Sequence, residues 1–465
     1  MDNYTLKLSD DELTNIFIED PLKRTESILS LVRWINQIDD SKIVSIEGNW
    51  GSGKTVAVKQ LELVCKKNNI IKEWYEKHKK DFTEEYKVLK IDDYRCDTFK
   101  VMYYNAWEND SSESPLLNLV YNLATENGIE IRDEKVGINF FKIINDLFSV
   151  AKTVRPELKV IDFLLQYIEV KDTDERKAFK TVKDERTIHD VIELFIKKIS
   201  YGKKIVIVID ELDRCRPEFA LKLIESIKHY FNIDNVITLL VMNKREMCSI
   251  IKKYYGDGFN SDEYLDKVVD LHLQLPEIDK KNYLLYLLGN GSYNAVIVES
   301  MLNTIKKYNL DMRQINRFLG AVNSVIPIDV IVGNRGIVKN FYTDDISATI
   351  NYFMRSYMIV YMIGLRLFDS NLYESLINGN CADDFFNDYF INDNSVESLL
   401  HMRSLLGTTL SNDGNKNIIR MIYYRCFKNQ SLSPQHAEIS DSIDENIPIV
   451  MNTCNLLKLI KKYQY

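Results

Sequence analysis

The sequence predicts an α/β fold, a parallel β-sheet flanked by helices, with a mainly helical region after it. Three observations predict this. Residues 203–210, KKIVIVID, carry five consecutive β-branched side chains, the composition of a strand buried on both faces of a parallel sheet. Apolar runs of strand type alternate with helix-periodic segments over roughly residues 20–275, the pattern of strands joined by helical crossovers. After Pro276 the apolar spacing becomes helical almost to the end.

Each element has its own signature. Ile28, Leu31, Val32, Trp34, Ile35 and Ile38 recur at helical spacing, so 21–40 is an amphipathic helix. KIVSIEG, 42–48, is a strand ending at Gly48, and VAVKQLELVCKK, 56–67, is a helix. Residues 68–90 read as a solvated helix, with KVLKI (87–91) and VMYYNAW (101–107) as further strands. Residues 115–170 are helical, and 171–187 carry so many mixed charges that they form a loop or exposed helix. TIHDVIELFIKKIS, 187–200, is amphipathic. EFALKLIESIKHYF, 218–231, is a helix between the strand at 203–210 and a last buried strand, NVITLLVMN, 235–243.

Composition excludes several classes. The 465 residues are 45% apolar and 28% charged, with only 17 Gly and 8 Pro, so the chain is neither collagen-like nor largely disordered. A formal charge of −8 argues against a generally basic nucleic-acid coat. The basic stretches 66–80 and 197–204 read as solvated helix faces, with nucleic-acid contact as the alternative. Seven scattered cysteines without CxxC spacing imply reduced thiols in a cytoplasmic protein. The N-terminus lacks a signal-peptide pattern. Neither 137–154, with its internal charges, nor the short run 357–365 has the roughly 20 apolar residues of a membrane span.

Gly48-Asn49-Trp50-Gly51-Ser52-Gly53-Lys54-Thr55 matches G-x-x-x-x-G-K-[ST] between a strand and a helix, the context of a phosphate-binding loop. Three of the 17 glycines fall within six residues here, where backbone N–H groups must approach phosphate oxygens. The following helix turns its positive end toward the same anion. Lys54 is expected at the β- and γ-phosphates and Thr55 at Mg²⁺. The partner site is expected at the end of another buried strand. There Asp210 would hold Mg²⁺ directly or through water, and Glu211 would act as general base. The alternative for Asp210 and Asp213 is an acidic helix N-cap. Arg214 and Arg216 either pair locally with Asp213 or Glu218 or reach a neighbouring subunit's nucleotide. Asn243 either orients the attacking water or merely ends a strand. Arg313, with Arg317 second, either bends onto the phosphates or forms a surface ion pair. Asn105 and Trp107 are read as a helix cap and a buried core residue, with a γ-phosphate role for Asn105 or Glu108 as the alternative.

Together these segments resemble the KAP family of P-loop NTPases. The resemblance rests on the loop at 48–55, Tyr104-Asn105-Ala106-Trp107-Glu108, and Ile209-Asp210-Glu211-Leu212-Asp213-Arg214-Cys215-Arg216-Pro217. It rests also on Glu263–Val269, Leu273-Gln274-Leu275-Pro276 and Arg313–Leu319. It covers about residues 15–325. Glu211 stands where the family commonly has Asp, and Asn243 where many members have Asp. The resemblance implies a P-loop NTPase core over 1–275 with a helical insertion at about 115–200 and a helical lid at 276–340; residues 341–465 lie outside it and read, from their apolar spacing alone, as a helical C-terminal domain that sets specificity. It also implies ATP and Mg²⁺ as substrate and cofactor, and a member without the transmembrane helices that many relatives insert. Hydrolysis would drive a conformational switch or assembly, with homo-oligomerisation and protein partners encoded nearby, in bacterial antiphage defence of the phage-exclusion type. The alternatives are a nucleic-acid remodelling motor and a nucleotide-dependent scaffold with little turnover.

Overall fold

A computed structural model describes residues 8–67, 69–80, 94–127, 189–289, 293–326, 331, 350, 353–381, 412–432 and 437–459, apart from 191 and 194. The expected strand at 87–91 and most of the expected helices between 128 and 188 lie outside the described residues.

The chain divides into two compact units, Lys7–Ile278 and, with the first six residues, Asp279–Tyr465. The first unit opens with helices α1 (Asp10–Glu19) and α2 (Thr25–Gln37). Strand β1 (Lys42–Glu47) then leads into α3 (Lys54–Lys66) and α4 (Asn69–His78). Strand β2 (Phe99–Asn105) precedes α5 (Pro115–Glu126), and β3 (Lys204–Asp210) precedes α6 (Pro217–Tyr230). Strand β4 (Val236–Met242) is followed by α7 (Lys244–Tyr255), α8 (Ser261–Val268) and β5 (Leu271–Gln274).

The five strands form one sheet in the order β2-β3-β4-β1-β5, and every pairing is parallel. β3 and β4, the two runs richest in β-branched and aliphatic residues, are buried along almost their whole length. Each such side chain removed from water contributes on the order of 1.5–3 kcal/mol. β5 was not foreseen, because its alternation runs for only four residues, too short to carry a pattern, and both of its ends are exposed. It is an edge strand, tied to β1 by its ladder and by a polar contact beneath it. The buried Ser45 hydroxyl donates to Glu47 Oε1 at 2.7 Å and lies 2.9 Å from His272 Nδ1.

Because all strands run the same way, their C-terminal ends meet at one edge. The register sets Glu47 beside Met242, Asp210 beside Val241, and Asn105 beside Asp210. That edge is where open parallel sheets hold ligands.

The described elements of the second unit are helices. They are α9 (Lys280–Leu288), α10 (Ala295–Lys307), α11 (Met312–Val325), a π-helical turn (Phe353–Met358), α12 (Ile359–Phe368), α13 (Ser370–Ile377), α14 (Asn412–Phe427) and α15 (Ala437–Leu459). The apolar run at 357–365 is buried here, at the π turn and along α12. No described helix is long and apolar enough to cross a membrane.

Candidate nucleotide site

The loop between β1 and α3 is shaped by its glycines. Gly51 and Gly53 have φ of 76° and 86°, conformations that cost an L-residue about 1–2 kcal/mol. A β-carbon on Gly48 would lie 2.7 Å from Ser52 Oγ. Ser52 Oγ is itself buried with no hydrogen-bond partner, which leaves an unpartnered polar group inside the loop. Lys54 is buried and curls back, donating from Nζ to Gly48 O at 2.8 Å and Asn49 O at 3.1 Å. Burial lowers its pKa, opposed first by Asp213 and then by Asp210. The loop thus carries a partly desolvated ammonium with two carboxylates nearby.

The Thr55 hydroxyl lies near the Asp210 carboxyl group at the end of β3 and favours its charged form. The two residues expected at the metal are therefore neighbours, 155 positions apart in sequence. Asp210 is 1% exposed. Burial raises its pKa, against the nearby Thr55 hydroxyl and the hydrogen bonds from Tyr103 and from the Glu211 backbone N–H. The Tyr103 hydroxyl donates to Oδ2 at 3.0 Å, and the Lys59 ammonium sits 3.3 Å from the centre of the Tyr103 ring. Sequence reasoning missed this support, since nothing in VMYYNAW says which tyrosine faces β3.

Glu211 follows in the left-handed conformation, φ 59° and ψ 27°. For a non-glycine residue this is an uncommon, strained state of the kind that collects at functional positions. Its carboxylate pairs with Arg214 Nη1 at 3.0 Å.

Asp213 has a different role from the one expected. Its Oδ2 accepts from the Trp50 indole N–H at 2.7 Å and from the Asn243 backbone N–H at 3.0 Å. One buried carboxylate therefore joins the phosphate loop, the acidic loop after β3 and the end of β4. With Asp213 so engaged, the arginines pair elsewhere. Arg214 takes Glu211 and lies over the Trp107 ring at 5.4 Å, and Arg216 pairs with Asp110. Arg214 pairs locally, Arg216 pairs with a residue 106 positions away, and neither takes Asp213 or Glu218.

Asn243 lies between the two motif strands, because β4 is inserted between β1 and β3. Its side-chain oxygen caps α7, accepting from Arg245 N at 3.1 Å. Asn105 is a cap as expected, its Oδ1 accepting from Trp107 N and Glu108 N. Trp107 corrects its expectation. It is 50% exposed, because the chain turns into a 3-10 turn (Trp107–Asn109) and Ala106 takes the buried position.

Arg313 belongs to the second unit. It stands exposed with Arg317 on α11, whose start is held by an Asp311–Gln314 capping box. It is not among the residues that the first unit brings together. The basic faces at 66–80 and 197–204 hold local ion pairs: Lys66 with Glu62, Lys77 with Glu19, Lys79 with Glu76, and Lys197 with Glu193.

One prediction arises directly. Asp213→Ala leaves the buried Asn243 N–H without its acceptor, at a cost of about 1–3 kcal/mol. The midpoint of chemical denaturation is expected to fall accordingly, with a smaller loss for Asp213→Asn, which keeps an acceptor. An unchanged midpoint in Asp213→Ala would remove the bridging role.

The donor set fits a nucleotide with a divalent cation: an unpartnered hydroxyl inside a glycine loop, an ammonium beside it, and a hydroxyl at the start of α3 near a carboxyl group at the end of β3. No curated protein matches the sequence. Among solved structures the chain is similar to the Aeropyrum pernix ORC2 protein, solved in ADPNP-ADP complexes. The two are 11% identical, the match covers 91% of this chain and 95% of that one, and the TM-score is 0.34. The model of the KAP family P-loop domain matches residues 24–328, a span that holds every motif of the site, and the chain belongs to the KAP family of P-loop NTPases.

Proposed function

We propose that the chain binds ATP with Mg²⁺ and hydrolyses it to drive a conformational switch or assembly. The observation that carries this reading is the nearness of Thr55 to Asp210, set beside the Lys54 ammonium that the loop holds. Thr55 and Asp210 would hold Mg²⁺, which supplies charge neutralisation at the phosphates when bound. Lys54 would exchange its two loop carbonyls for phosphate oxygens, and the loop N–H groups would orient the triphosphate. Glu211 would accept the proton of the attacking water. Its pairing with Arg214 would open for that step. Asn243, at the end of β4 between the two motif strands, would orient the water, and Arg313 would carry nucleotide state to the helical lid at 276–340. Homo-oligomerisation, partners encoded nearby and an antiphage role of the phage-exclusion type follow from the family resemblance. The ion-paired basic faces and the net charge of −8 favour this reading over a nucleic-acid motor.

The test uses the purified full chain. Phosphate release from ATP is expected with Mg²⁺ and is expected to stop when a chelator removes it. Failure to bind ATP with Mg²⁺ by calorimetry would overturn the reading.

A further inference from the structure

Arg24 plays no part in the site as read from the motifs, yet it is the largest fully buried side chain among the described residues, 2% exposed. Its position is set locally. Asp20 ends α1 in a left-handed conformation, and its Oδ1 accepts from the backbone N–H groups of Arg24 at 2.8 Å and Thr25 at 3.1 Å. This fixes the start of α2 and aims the Arg24 side chain inward. The guanidinium then donates from Nη1 to Ser52 O, in the phosphate loop, and from Nη2 to Pro276 O. Its Nε is buried without a hydrogen-bond partner. Burial lowers its pKa to about 10, with Glu277 opposing.

Three physical points give this arrangement a purpose. A guanidinium is a rigid planar fork, so the two carbonyls it bridges are held at one mutual spacing. Burying a charge this deeply costs several kcal/mol, and an apolar residue would fill the space more cheaply. The fork is therefore poorly explained as packing. Finally, Ser52 C=O and Gly53 N–H are the two ends of one peptide group. A charged donor on the carbonyl polarises that group and strengthens its N–H as a donor, at the loop position that opens α3.

The other end of the fork is equally placed. Leu275 N donates to Glu47 O at 2.8 Å, the last backbone bond joining this segment to the sheet. Beyond it come Pro276, Glu277 and Ile278, where the first unit ends. Arg24 thus ties the phosphate loop to the segment by which the chain leaves that unit.

We propose that Arg24 is a positioning residue that strengthens phosphate binding at the Ser52–Gly53 peptide and couples it to residues 275–278. The proposal rests on the nucleotide reading above. Nucleotide at the loop shifts the Ser52 carbonyl, the rigid fork carries the shift to Pro276 O, and the exit segment tightens.

The experiment compares the full chain with Arg24→Lys and Arg24→Gln. The probe is a slowly hydrolysed ATP analogue with Mg²⁺. Binding is measured by calorimetry, and hydrogen exchange is followed at the amides of Leu275, Glu277 and Ile278. In the wild type the analogue is expected to slow exchange at these amides severalfold. Arg24→Lys has a single charged centre that cannot span both carbonyls, so it is expected to lose that slowing and to bind about tenfold more weakly. A purely structural role would lower the denaturation midpoint of the nucleotide-free protein and leave the exchange response intact. A response in Arg24→Lys equal to that of the wild type would overturn the proposal. So would a wild type that binds the analogue with no change at 275–278, a result that stands even if both variants misfold. If the wild type binds no nucleotide, the functional reading itself fails, and the coupling with it.

Discussion

Lys54→Ala is expected to abolish measurable nucleotide binding, raising the dissociation constant by at least about 100-fold. Each hydrogen bond to a charged group contributes about 1.5–3 kcal/mol, and an ammonium between β- and γ-phosphates makes more than one. The structure adds a reason specific to this chain. Lys54 is buried, and its charge is stabilised first by Asp213 and then by Asp210. Removing it leaves the anionic side of the site uncompensated, so a polyanion meets net repulsion where it met attraction. The loop carbonyls of Gly48 and Asn49 lose their donor as well. Calorimetric titration with ATP and Mg²⁺ checks the outcome, alongside a denaturation midpoint to show that the fold survives. Unaltered affinity would sink the assignment of the phosphate loop.

The second large effect is expected at Glu211. Glu211→Gln keeps the size and shape of the side chain and removes its basicity. Turnover is expected to fall by about 10²–10⁴-fold, the range for loss of a general base, while ATP affinity stays within a few-fold of wild type. The backbone argues for the residue's importance. A glutamate at φ 59° costs about 1–2 kcal/mol relative to a right-handed conformation, and the 3-10 turn Leu212–Arg214 together with the Arg214 ion pair holds it there. Single-turnover phosphate release checks the prediction. Unchanged turnover would move the base elsewhere. If hydrolysis stops while the protein's action in the cell persists, the scaffold reading replaces the switch.

Both predictions rest on residues that were legible before any coordinates. The phosphate loop and the acidic strand end announce themselves because their chemistry is local: three glycines within six residues, and five β-branched residues running into a carboxylate pair. Thr55 and Asp210 were expected at one metal on the same ground, and the fold sets them near one another. Asp213 shows the limit. It stands inside a recognised segment, and its neighbours suggested a helix cap or an ion pair with the following arginines. Its actual partners, Trp50 and Asn243, are 163 and 30 residues away. No pattern of periodicity carries a hydrogen bond of that kind. Trp107 failed differently. An aromatic residue after a strand reads as core, but a single 3-10 turn rotates it outward and leaves Ala106 inside.

By itself the sequence determined the α/β class, the strands that carry the motifs, and the residue types that meet a phosphate and its metal. Those properties reside in local composition and in periods of 2 and 3.6 residues. The tertiary structure alone decided the strand order β2-β3-β4-β1-β5, and with it that the end of β4 stands between the phosphate loop and the acidic strand. It alone set Asp213 across three loops and buried Arg24 between Ser52 and Pro276. Strand order depends on which apolar faces and crossovers pack together across the whole unit, and a local pattern reports only that a strand will be buried, not beside which neighbour.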